Sequence, residues 1–278
     1  MGITVTATSD AAAALAEARA FLTSRPAEHN VVLTLLSQRA GAPRPGRYWV
    51  ARDGDRVVGV VFLSPLDFHA AVTPCSDEVI DALVRSVGDD VPDLTGVAGD
   101  AATAARFAGE WAARAHVGAR PAEAQRLHVL DEVRKPTAVP GMLRPGRLDE
   151  IDVIAAWNDG FVGDTGEGRR APEEARPMLQ GVLDDRRLFV WDDGGPTSMA
   201  SLSPTVAGSV RVQRVYTPPE RRRHGYASAC VAAVTAHALK NGATTCVLYT
   251  QLSNPTSNAI YRTIGYEPIA EILRYRFG

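Results

Sequence analysis

Arg222-Arg223-His224-Gly225-Tyr226-Ala227 stands between an apolar segment of β character and an Ala/Val-rich helix. Before it, Arg211-Val212-Gln213-Arg214-Val215-Tyr216 reads as a strand that Pro218 and Pro219 end. After it the pattern turns helical from Gly225 to Lys240, with apolar residues at Ala227, Val231, Val234 and Ala238 and an Asn241-Gly242 stop. A strand–loop–helix of this kind points unpaired N–H groups past the helix N-terminus, where the dipole favours an anion. Gly225 and the small Ala227 let the backbone approach phosphate oxygens closely. The stretch therefore predicts a backbone cradle for a pyrophosphate.

Further along, Thr245-Cys246-Val247-Leu248-Tyr249-Thr250 reads as a second strand. Asn254 follows, then the helical Tyr261 seven residues later, then Gly265-Tyr266. The first spacing, R-x-x-G-x-A, resembles the acyl-CoA pyrophosphate motif of the GCN5-related N-acetyltransferases (GNAT), and the second resembles that family's second signature. Val215 to Glu220 and Asn254 to Tyr261 look most like its FR47-like branch. The resemblance covers residues 142–278. It implies that Val215, Tyr216 and Thr217 offer main-chain donors to the pantetheine arm and thioester of acetyl-CoA. Arg223, His224, Gly225, Tyr226, Ala227 and Ser228 then hold the pyrophosphate, Arg222 braces the loop or contacts phosphate, and Asn254 bonds the pantetheine arm. Tyr261 becomes the general acid that protonates the departing thiolate.

Each residue also has a plainer reading. Tyr261, beside Ile260 and Ile264, has the setting of a core residue. Asn254 before Pro255 suits a helix N-cap. Arg221 to Arg223 suit a solvated basic turn. His224 falls at the pyrophosphate end, away from the thioester, so it is not the base. Cys230 and Cys246 lie in apolar patterns and read as buried filler. The central strands offer Arg211, Gln213, Thr250 and Gln251 and no carboxylate base. Asp159, Asp164 and Glu167, after the first helix and at or in a loop expected over Gly160 to Arg170, are the candidates for base or acceptor binding.

The rest of the C-terminal half reads as a short strand at Met142–Arg144 and helices at Leu148–Asn158 and Pro172–Leu183. A hairpin of Leu188–Trp191 and Ser198–Leu202 follows, and a last strand runs from Ile269 to Phe277. The N-terminal half repeats this order. Ile3–Thr8 is strand-like, Ala11–Thr23 and Ala27–Gln38 are helix-like, and Tyr48–Arg52 pairs with Val57–Leu63 over Asp53-Gly54-Asp55. Leu63-Ser64-Pro65 recurs as Leu202-Ser203-Pro204 at an offset of 139, and Asp100 matches Asn254 at an offset of 154. The difference, 15 residues (154 − 139), falls where the second half carries its phosphate loop.

The first copy reads as disabled. Its matching helix begins Ser76-Asp77-Glu78, and carboxylates there repel phosphate, whether or not they also cap the helix. Phe107 stands where Tyr261 does and has no proton to give. The expected architecture is therefore α/β, with two tandem GNAT-like domains, each a mixed, mostly antiparallel central sheet flanked by helices. Residues 1–135 form a degenerate first domain and 136–278 a catalytic second one, joined by a Pro/Gly-rich linker from Pro136 to Gly146.

The 278 residues carry a net charge of −2, which gives no general attraction to nucleic acid or an anionic membrane. Cys75, Cys230 and Cys246 are scattered and suggest neither a disulfide framework nor a metal site. No apolar run has membrane-spanning length and no signal peptide is legible, so the cytoplasm is the expected compartment. The implied activity is acetyl transfer from acetyl-CoA to a primary amine, small-molecule or peptide, by direct attack in a ternary complex. The chain would act as a monomer with an internal pseudo-dimer, or as a homodimer. Two other outcomes stay open: a non-catalytic acyl-CoA sensor and a protein lysine acetyltransferase.

Overall fold

A computed structural model describes residues 2–134, 139–165 and 172–278. The elements run β1 Ile3–Thr8, α1 Ala11–Ser24, α2 Asn30–Gly41, β2 Arg47–Asp53, β3 Arg56–Leu63, β4 Ala70–Val72, α3 Asp77–Asp90, β5 Gly96–Asp100, α4 Ala101–Ala115 and β6 Ala119–Leu130. There follow β7 Met142–Pro145, α5 Ile151–Thr165, α6 Pro172–Asp184, β8 Leu188–Asp192, β9 Pro196–Leu202, β10 Ser209–Tyr216, α7 Tyr226–Lys240, β11 Thr245–Gln251, α8 Pro255–Ile264 and β12 Glu267–Phe277. Single 3-10 turns, Leu148–Glu150 and Pro219–Arg221, precede α5 and α7. No described helix is long and apolar enough to cross a membrane.

Contacts divide the chain into two compact units. The first runs to Leu127 and takes in Gln251–Ser253 and Pro268–Gly278; the second is His128–Thr250 with Asn254–Glu267. The first unit's strands lie in the order β1-β2-β3-β4-β5-β12-β6, β6 running on into the second unit after Leu127. β4 and β5 are parallel, and β1–β2, β2–β3, β3–β4 and β5–β12 are antiparallel. Large apolar side chains, including Trp49, Leu83, Phe107 and Trp111, are fully buried against α3 and α4. Asp10 caps α1 through bonds from the Ala12 and Ala13 N–H groups (2.8 and 3.1 Å), which satisfies donors the helix cannot.

The second unit repeats the plan. Its strands lie β7-β8-β9-β10-β11, antiparallel except for β10 with β11. The hairpin β8–β9 corresponds to β2–β3, α7 to α3, and α8 to α4. The two copies differ most at the predicted loop. β4 has three residues and β10 eight. The link to the next helix is Thr73–Ser76 in one and Thr217–Gly225 in the other.

Several expected boundaries move. α5 continues through Gly160 to Thr165, so Asp159 and Asp164 stand on a helix, not in a loop. Its apolar face, with Ile151 and Ile154 in the core, carries the helix past the glycine. Glu167 and the expected linker start, Pro136, lie outside the described residues. The compact units are also not contiguous in sequence. Where one cut between 135 and 136 was expected, β12 is shared out: from Pro268 onward it belongs to the first unit, pairing Ile272 with Asp100 through Arg276 with Gly96. Phe277 stacks on Trp111 there (5.6 Å), so apolar burial reinforces the ladder.

An ion cluster fixes the start of the second unit. Arg144 donates to both oxygens of Glu150 (2.6 and 2.8 Å) and to Asp192 (2.7 Å), and the Arg147 N–H also bonds Glu150 (3.0 Å). These bonds, chiefly that from Arg144, hold both carboxyls below their usual range. A carboxyl depressed in the folded state stabilises above its unfolded pKa, and that stability is lost as pH falls through the folded value. Glu150→Gln is expected to cost about 2 kcal/mol at neutral pH. The gap in Tm from the parent should narrow below about pH 4. Thermal melts at several pH values check this; a gap that stays constant into acid would remove the cluster from the account.

Candidate active site

The site begins where β10 leaves β11. Their parallel pairing covers Ser209 to Arg211. β10 then continues against β9 to Tyr216, with a register shift between Gln213 and Tyr216. Arg214 in the shifted stretch has φ 52°, a left-handed conformation that lets a bulge bend the strand. Beyond Arg211 the β10 edge carrying Val215, Tyr216 and Thr217 has parted from its parallel neighbour. This is the edge from which those three residues were expected to offer main-chain donors.

Arg223–Ser228, expected to hold a pyrophosphate, make a left-handed turn into a helix. Arg223 has φ 66° and Gly225 φ 81°, and Gly225 is the N-cap of α7. No side chain caps α7, and no acid stands in its first turn. The N–H groups of that turn, including those of Tyr226, Ala227 and Ser228, are thus left to an outside acceptor. Arg223, His224 and Gly225 are exposed, and Ala227 and Ser228 half-buried. His224 sits at this end of the site, its Nδ1 3.3 Å from the Arg221 carbonyl and its ring stacked on Tyr226 at 5.6 Å.

Arg222 is tied to two partners. Its Nε donates to the Thr217 carbonyl (3.0 Å) and its terminal nitrogen to Asp164 of α5 (2.7 Å). The guanidinium lies 5.7 Å from the Tyr216 ring centre. Tyr216 in turn rests on Gly160: a Cβ there would lie 2.3 Å from the phenolic oxygen. Asp164, a candidate base in the sequence reading, is therefore engaged as a brace. Asp159 is exposed on α5. The Tyr226 phenol donates to Asp193 (2.6 Å), a bond that raises its pKa. Thr217 is held from beneath, its hydroxyl bonding Ser198 (2.9 Å), which donates to the Tyr216 carbonyl (3.0 Å).

α8 packs against α7. Asn254 is exposed and caps it, accepting from the Ser257 N–H (3.0 Å), so the N-cap reading holds. Asp100 caps α4 in the same way through Thr103 (3.2 Å), matching the offset read from sequence. Tyr261 is 8% exposed and stands edge-on to Tyr266, ring centres 6.0 Å apart. It belongs to the same apolar cluster as Tyr226, with Val215 packed against that cluster. Burial pushes the Cys230 and Cys246 thiols up to about 12, which leaves them as inert filler. In the first unit α3 does begin with Asp77 and Glu78, and Phe107 is fully buried.

The sequence reading gave no role to Ser198, Thr250 or Asn258. Asn258 is buried; its carbonyl accepts from the Thr250 hydroxyl (2.7 Å) and its NH2 donates to the Asn254 carbonyl (2.7 Å). The signal was present: Asn254, Asn258 and Tyr261 are spaced four and three apart, which places them on one helix face.

With this geometry in hand, comparison with known proteins gives a consistent picture. The model of the acetyltransferase (GNAT) family matches residues 154–266. No curated protein matches the sequence. Among solved structures, a GCN5-related N-acetyltransferase from Sphaerobacter thermophilus superposes with TM-score 0.65 at 18% identity, covering 99% of this chain and 95% of that one. An acetyltransferase of the GNAT family from Colwellia psychrerythraea gives 0.64 at 10% identity over the whole of both chains. A tandem GNAT protein from the clavulanic acid biosynthesis pathway gives 0.60 at 13% identity, covering 99% of this chain and 98% of its own. At these identities the likeness is one of fold.

Proposed function

We propose, from the premise that residues 154–266 belong to the GNAT acetyltransferase family, that this chain moves an acetyl group from acetyl-CoA to a primary amine by direct attack in a ternary complex. One observation carries the reading. An uncapped, acid-free helix N-terminus behind two left-handed residues stands at the end of a bulged strand that has parted from its neighbour. That donor set suits a pyrophosphate followed by an extended amide-bearing arm.

In this reading the backbone from Arg223 to Ser228 binds the pyrophosphate, and Arg222, tied to Asp164, holds the loop in shape. The β10 edge at Val215 to Thr217 orients the arm and polarises the thioester carbonyl. Asn254 bonds the arm from the opposite side. The amine nitrogen forms the new C–N bond and loses a proton to solvent as the C–S bond breaks. Tyr261 supplies the proton that the departing sulfur takes; a phenol with pKa near 10 retains it at neutral pH. With both core thiols held protonated, an acyl-enzyme on cysteine has no support. The first unit serves as a degenerate copy without a cofactor site.

One observation favours the sensor rival: Asp164 is committed to Arg222 and no carboxylate stands on β10 or β11. Incubation with acetyl-CoA and an amine library that includes lysine peptides, followed by mass spectrometry, tests the two. An acetylated amine supports transfer, and tight CoA binding with no product supports the sensor. Titration calorimetry is expected to find one CoA per chain. Two equivalent sites would overturn the claim that Asp77 and Glu78 close the first copy to phosphate.

A further inference from the structure

We infer that Asn258, with Thr250, is a positioning residue of the cofactor site, fixing the first turn of α8 to the end of β11 so that Asn254 faces the arm. The inference rests on the reading of Asn254 given above. Three observations carry it. Thr250 and Asn258 are both buried, and their hydroxyl–amide bond is short at 2.7 Å. The other end of the same amide reaches the Asn254 main-chain carbonyl, also at 2.7 Å, so one side chain ties strand to helix start and uses both its acceptor and a donor. The third comes from the internal repeat. At the offset of 154 the first unit has Ala104, fully buried, one turn after its own cap Asp100.

The comparison separates folding from function. Both copies make a strand followed by a capped helix, although β5 runs directly into α4 while Leu252 to Asn254 separate β11 from α8. The copy that lacks the phosphate loop makes them with a methyl group in place of the amide. Fold alone therefore does not demand the amide. What the second copy has in addition is a longer strand, β10, that runs on past its listed pairing with β11, and an exposed Asn254 whose capping bond must not be pulled out of line. A tie from Thr250 through Asn258 to the Asn254 carbonyl supplies that constraint. Asn258 itself touches no reacting atom in this account.

The test is the double substitution Thr250→Val with Asn258→Ala, which removes the buried hydroxyl together with its partner and so leaves no orphaned donor. The probe is CoA, by calorimetry, on the full chain, with acetyl-CoA kinetics alongside. The expected result is a Tm within a few degrees of the parent, CoA affinity weakened about tenfold, and KM for acetyl-CoA raised with it while kcat changes less. Should the double variant not fold, Thr250→Val alone is read in the same way, with a smaller loss of about threefold expected. A folded variant with parental CoA affinity would reduce Asn258 to packing and overturn the inference, leaving the proposed function standing. A parent chain that binds no CoA at all would overturn both.

Discussion

Gly225→Glu is expected to abolish acetyl-CoA binding. Gly225 has φ 81°, a conformation that costs an L side chain about 1–2 kcal/mol. A Cβ there would meet the Val139 methyl at 3.0 Å. Beyond strain, the new carboxylate stands at the N-terminus of α7, where it takes the donors meant for phosphate and repels what it does not displace. Gly225→Ala separates the two effects, because it carries the strain without the charge. It should weaken binding only in part, whereas the Glu variant shows no heat of binding in a CoA titration. Circular dichroism and melting establish that both are folded. A folded Gly225→Glu that binds CoA with parental affinity would place the cofactor elsewhere.

Tyr261→Phe is expected to lower turnover by about 10²- to 10⁴-fold, the range for a lost general acid, with CoA affinity little changed. The internal repeat makes this substitution unusually clean. Phe107 occupies the matching helix position in the first unit, fully buried, so the fold packs a phenyl ring there. The edge contact with Tyr266 needs the ring and not the hydroxyl. Once an acceptor is known, single-turnover kinetics read the chemical step directly. Full activity in that assay would leave Tyr261 as packing, which its 8% exposure already supports as one of its roles. A loss confined to turnover would also dispose of the sensor reading, since a sensor has no turnover to lose.

What could be read from the sequence was what local chemistry dictates. The turn before α7 was legible because a glycine forced to positive φ, a proline-stopped strand and an uncapped helix start leave a signature within fifteen or so residues. Asn254 was legible for the same reason, its cap reaching only to Ser257. The repeat was legible because two copies had to place equivalent elements in one order. The losses were of two kinds. β4 has three residues, too few to show alternation. Thr250, Asn258 and Ser198 are small polar residues whose importance lies in what they meet across a strand or helix, and spacing alone does not show that they are buried. Arg222 and Asp164 lie 58 residues apart, so the brace between them was invisible. So was the partner of β12, since the pattern that marks a strand says nothing about which sheet it joins.

That last strand has a consequence for how the molecule comes into being. Residues 268–278 are made after the rest of the first unit and after nearly all of the second. At translation rates of about 5–20 residues per second, the interval from Leu127 to Pro268 is on the order of ten seconds. If the first unit folds as it emerges, then through that interval the flank of β5 that pairs with β12 has no such partner, and Trp111 lacks the ring of Phe277. An unpaired flank of this kind is a template for any passing strand. The half of the chain that is synthesised first therefore closes last, and its safe maturation depends on how quickly the half that follows is read.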